Sequence, residues 1–100
     1  MGWSVSRHSE PDRKLDLLVR RLVRLRSAVK CGGGSAHIAN AAEKVRLAAL
    51  ALIKAKRALI KEYPQRDSGG RHSRNLQDEE QRWLTLSTDT IVEEHSKADA

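Results

Sequence analysis

The sequence predicts an all-α protein: an antiparallel helical hairpin with a weaker third C-terminal helix, together a small three-helix bundle. Three observations carry that prediction. Two stretches, Leu15 to Lys30 and Ala36 to Tyr63, repeat apolar residues at the three- and four-residue spacing of a helix face. A triple glycine, Gly32 to Gly34, separates them; glycine costs roughly 1 kcal/mol inside a helix and readily takes the left-handed conformation that ends one. The chain has no Phe, and Trp3, Tyr63 and Trp83 are its only aromatics. Its core is therefore built from Leu, Val, Ile and Ala, side chains that suit close helix packing and give little cover to a sheet.

The first helix is expected to open at Ser9, whose hydroxyl can accept from a free backbone N–H, with Asp12 three residues on at the capping-box position. Pro11 falls in the first turn, where its missing N–H costs the helix nothing. Leu15, Leu18, Leu22, Leu25 and Val29 form the interface seam, widened by Val19 and Val23. Arg13, Arg20 and Arg24 lie opposite, with Arg21 at the flank. Arg26 projects toward the apolar side, where its aliphatic stem can be covered while the guanidinium stays at the edge.

The second helix is expected to start with Ser35 as N-cap and to present Ile38, Val45, Leu52 and Leu59 at heptad spacing. Ala41, Ala42, Ala48, Ala49 and Ala55 fall between them, so a neighbouring helix can approach closely. Leu47 and Leu50 lie on another side, beside Lys54 and Lys61, and call for a second cover: the C-terminal segment or a second subunit. Pro64 stops the helix. At about 28 residues it is roughly 42 Å long, against roughly 30 Å for the first. Its end, around Leu59 and Tyr63, therefore overhangs the start of the first helix, and Trp3 and Val5 are the nearest local residues to cover it.

Residues 1–64 thus read as a basic helical hairpin, 65–74 as a flexible linker without apolar residues, and 75–100 as an acidic C-terminal helix with a frayed tail. Asn75 is the expected N-cap, with Asp78, Glu79 and Glu80 near the positive end of the helix dipole. Leu76, Glu80, Trp83, Leu84, Ser87 and Ile91 keep helical spacing. Trp83 to Val92 also alternates and is rich in Thr, the pattern of a strand. Helix is preferred, because a lone strand would find no partner in this chain.

The net charge of +6 conceals an asymmetry: residues 1–64 hold 14 Lys and Arg against 5 Asp and Glu, whereas residues 65–100 hold 5 against 8. A basic body with an acidic end implies an anionic partner for the first part. Cys31 is the sole cysteine, which excludes an internal disulfide and a cysteine-rich zinc site and fits a reducing compartment. There is no apolar leader, and the most apolar run, Leu47 to Ile53, falls far short of the roughly 20 residues that span a bilayer. The expected location is cytoplasmic.

Chemistry-bearing motifs are weak. His8, His37, His72 and His95 share no i, i+4 spacing, no Ser, His and acid constellation is legible, and the glycine turn lacks the Gly-Lys-Ser/Thr ending of a phosphate loop. No catalysis, metal, cofactor or small-molecule substrate is therefore expected. The opening Met1-Gly2-Trp3-Ser4-Val5-Ser6 fits a myristoylation pattern and makes Gly2 a lipidation candidate, although the bulky Trp3 beside it fits that role poorly.

Three functional readings remain, in this order. The first is a small non-catalytic interaction protein that self-associates or docks a partner helix, with Leu47 and Leu50 as the partner patch. The second is a nucleic-acid-binding accessory protein whose phosphate contacts come from Arg13, Arg20, Arg21, Arg24, Lys54, Arg57 and Lys61. The third is a membrane-surface protein using the basic amphipathic first helix.

Overall fold

In a computed structural model, residues 10–63 and 69–96 are described, and they form four helices: α1 (Glu10–Lys30), α2 (Ser35–Glu62), α3 (Arg71–Thr85) and α4 (Thr88–Ser96). No strand occurs among them. The expected caps at Ser9 and the proposed cover by Trp3 and Val5, like Gly2, lie outside the described residues.

The hairpin turn follows from its glycines. Gly32 has φ +68°, its N–H donates to the Val29 carbonyl at 3.2 Å, and the Gly33 N–H donates to the Ala28 carbonyl at 3.0 Å. This pair of bonds is a Schellman motif, which satisfies carbonyls that the end of a helix leaves free. Gly34, not Ser35, is the N-cap of α2: its backbone is extended, and its carbonyl accepts the Ile38 N–H at 3.0 Å. Ser35 is thereby the first helical residue. The reversal makes the hairpin antiparallel, since Pro11 and Asp12 share a cleft with Lys56, Leu59 and Ile60, while Leu17 and Arg21 adjoin Lys44, Leu47 and Ala48.

Helix α2 is the centre of the bundle, in contact with the other three helices, while α1 also touches α4. Its buried residues are Ala41, Ala42, Val45, Ala48, Ala49, Leu52, Ile53 and Ala55. At about 100° per residue they span a wide arc, and the five alanines let helices approach from more than one side. Leu25 joins Ala41, Ala42, Val45 and Ile91 in the core, with Leu18, Leu22, Val29, Ile38, Trp83, Leu86 and Val92 packed around it.

The seam of α1 is narrower than its periodicity implies. Leu18, Leu22, Leu25 and Val29 face the core, but Leu15 is 48% exposed, Val19 49% and Val23 56%. A straight helix repeats every 3.6 residues rather than every 3.5, so a fixed heptad stripe drifts around it. Ala28 takes a fully buried place instead.

The C-terminal part departs further from expectation. Helix α3 begins at Arg71, inside the stretch whose composition reads as linker, behind Gly69 and Gly70, both at positive φ. Gly70 is the N-cap and Asn75 an exposed residue within the helix. Residues 71–75 carry no apolar side chain because that turn faces solvent; Leu76 is the first to be buried. A single third helix is also replaced by two. At the break, Leu86 is extended, the Thr85 hydroxyl donates to the Gln81 and Arg82 carbonyls, and Ser87 Oγ accepts the Thr90 N–H at 3.2 Å. Side-chain hydroxyls that compete for backbone groups end one helix and cap the next. Trp83 to Val92 is thus neither a strand nor one helix.

Ile91 anchors α4 in the core without exposure. Two arginines hold the same segment by its backbone: the Arg46 guanidinium donates to the Leu86 carbonyl, and Arg26 Nε donates to the His95 carbonyl at 3.3 Å. The end of α2 adjoins α3: Leu59, Ile60 and Leu76 line one cleft, together with Pro11.

Candidate functional site

The α1–α2 hairpin has two flanks. Helices α3 and α4 cover one; the other is open among the described residues, and on it a shallow groove of about 150 Å³ runs between Leu17 and Arg21 of α1 and Lys44, Leu47, Ala48 and Ala51 of α2. That volume suits roughly one benzene-sized apolar group. Ala48 is buried, Leu17 is half-buried, and Leu47 stands 59% exposed at the edge.

The groove continues onto the outer surface of α1, a second shallow concavity of about 620 Å³ lined by Leu17, Val19, Arg20, Arg21, Val23, Arg24 and Ser27. Arg20 and Arg24 are one turn apart and exposed, and Arg21 is half-buried. These three and Lys44 make no ion pair among the described residues, and neither lining contains a carboxylate. Small residues explain the recess: Ala48 and Ala51 leave room where larger side chains would fill it.

The seven basic residues chosen from the sequence do not form one patch. Arg20, Arg21 and Arg24 come together. Arg13 pairs with Glu10 at 3.8 Å, and Arg57 is turned to the covered flank, where it meets Glu80 of α3 at 2.9 Å. Lys54 and Lys61 are exposed along α2. Of the partner patch, Leu50 is half-buried, whereas Leu47 is left uncovered by the C-terminal helices.

Lys44, Leu17 and Ala51 are groove residues that the sequence reading did not single out. A helical wheel of each segment, aligned antiparallel about the glycines, carries the signal: Lys44 and Ala51 flank Leu47 on one side of α2. Arg26 was legible as a cation at the apolar edge and Arg46 only as a charge; their carbonyl partners lie 69 and 40 residues away.

The covered flank ends in a different cluster. The Trp83 and His95 rings stack with centroids 5.2 Å apart and planes inclined by 16°, and Arg82 meets Glu94 at 2.8 Å beside them. Burial holds the His95 pKa below its usual value; Glu94 opposes that shift, and Arg82 and Arg26 add to it. No group of three or more His, Cys, Asp or Glu able to hold a metal occurs among the described residues, and none of their helices is long and apolar enough to cross a membrane. Comparison of the chain with known protein families, with curated proteins and with solved structures finds no match.

Proposed function

We propose that the protein is a non-catalytic helical interaction module that docks a partner helix on the open flank of its α1–α2 hairpin. The observation behind this reading is a recessed floor of Leu17, Ala48 and Ala51 beside the exposed Leu47, on a hairpin whose opposite flank already holds two helices of its own chain. A helix laid there buries apolar surface, worth about 25 cal/mol per Å² removed from water, in the helix-in-groove mode of recognition. Self-association is the case in which a second copy supplies that helix.

Leu47→Glu tests the reading. An exposed position tolerates it, so stability should change by less than about 0.5 kcal/mol, while association with a helical ligand or a second copy, followed by methyl NMR and by mass in solution, should be lost. Unchanged association would reject the groove as the docking site.

A second reading rests on Arg20, Arg21 and Arg24, which make no ion pair among the described residues: salt-dependent phosphate contact with a nucleic acid. The recessed apolar floor has no use in that mode, which ranks it second.

A further inference from the structure

We infer that the helix taken by this groove is acidic: an amphipathic helix of another protein, with an aliphatic stripe and carboxylates along both edges. The inference rests on the docking reading above and adds the chemistry of the partner. Both banks of the groove are cationic, with Arg21 on α1 facing Lys44 on α2, and Arg20 and Arg24 extend the charge along α1. No carboxylate of the described residues neutralises these four. Where α3 and α4 pack, long cations do meet carboxylates: Arg57 meets Glu80 and Arg82 meets Glu94. An occupant with Glu or Asp at i and i+4 repeats the roughly 6 Å spacing of Arg20 and Arg24, and guanidinium forks suit carboxylates.

The same charges exclude the nearest competitors. An isologous second copy would place the same cationic patch on both sides of the interface, and like charges opposed across an interface are unfavourable. Duplex DNA would engage the arginines and leave Leu47 and Val23 in water. An anionic bilayer would take the exposed Leu47, Val19 and Val23 and leave Leu17 and Ala48, the floor of the groove, unused.

The test uses the full chain and a synthetic amphipathic helix with a Leu and Ala stripe and Glu edges, beside a twin with Gln in place of Glu. Duplex DNA and phosphatidylserine-containing vesicles complete the probes. The acidic peptide should shift the methyl resonances of Leu17 and Leu47 and leave those of Leu76 and Ile91 in place. It should bind at least several-fold more tightly than its Gln twin, and lose about ten-fold in affinity in the Arg21→Glu, Lys44→Glu variant. Raising NaCl from about 50 to 300 mM should weaken it as well. Circular dichroism of the variant checks that substitution of the half-buried Arg21 and the exposed Lys44 leaves the fold intact. Equal binding of the Gln twin overturns the acidic partner and leaves helix docking standing. No binding of either peptide overturns both, and tighter binding of DNA or vesicles at the same methyls assigns the groove to a phosphate-bearing surface instead.

Discussion

On the covered flank of the α1–α2 hairpin, three of its arginines end on partners: Arg57 on Glu80, Arg46 on the Leu86 carbonyl and Arg26 on the His95 carbonyl. On the open flank, Arg21 and Lys44 border a Leu and Ala recess, Arg20 and Arg24 extend the charge along α1, and the four meet no carboxylate among the described residues. Both flanks draw on the same two helices and the same residue types. The difference is that α3 and α4, which supply Glu80 and the carbonyls that accept from Arg46 and Arg26, pack on one side only. An amphipathic hairpin needs burial from outside its own seam, and a short C-terminal segment supplies it once.

The sharpest way to break this comparison is to delete apolar volume from each flank. Leu25→Ala or Ile91→Ala, at positions with no exposure, should cost about 2–5 kcal/mol, read by urea denaturation, and the Ile91 variant should also release the Trp83 and His95 stack. Leu47→Ala should cost less than about 0.5 kcal/mol. A Leu47 loss as large as that of Leu25 would mean that the open flank is covered in solution.

A middle-sized effect belongs to the turn that both flanks share. Gly32→Ala forces a side chain into the left-handed region at φ +68° and should destabilise by about 1–2 kcal/mol, without moving the Leu47 methyl signals relative to those of Leu76. Gly34→Ser is its control. Gly34 has an ordinary φ of −62° and no side-chain cap, so a hydroxyl there should be neutral or stabilise by a few tenths of a kcal/mol.

The smallest effect separates the flanks by pH. The folded pKa of His95 lies below the ordinary histidine value of about 6.5, chiefly through burial, so the unfolded chain binds the proton more readily. The stability linked to neutral His95 is therefore complete above about pH 6.5 and is lost as the pH falls toward and through the folded pKa. Denaturation at about pH 7.5 and 5.5 should show a larger acid loss for the native chain than for His95→Gln. An equal loss in both would remove His95 as its source, and altered open-flank methyls at the lower pH would contradict its confinement to the covered side.

Local rules made most of the helices readable. The Leu18, Leu22, Leu25 and Val29 spacing, the glycine turn and the alanine-rich heptads of α2 each specify helix within a few residues of chain. The same rules misplaced Leu15, Val19 and Val23, because periodicity identifies an apolar side and leaves open how much of it a neighbour covers. They also misplaced the start of α3, since residues 71–75 have no apolar side chain to announce a helix, and the first buried residue of that helix is Leu76. Part of the candidate site was legible, namely Leu47 and the three arginines. Their junction with Leu17 and Lys44 was not, for it exists only when α1 and α2 lie side by side.

By itself the sequence determined the helical class, the hairpin and its reversal point, and the split between a basic body and an acidic end. These depend on backbone preference, glycine conformation and composition, all of which act over short stretches of chain. Tertiary structure alone decided which flank of the hairpin is closed, which arginines are neutralised and where the C-terminal helix breaks in two. Those outcomes come from competition between distant segments for the same apolar surface, and Ile91 docking beside Leu25 and Val45 settles it in favour of one side.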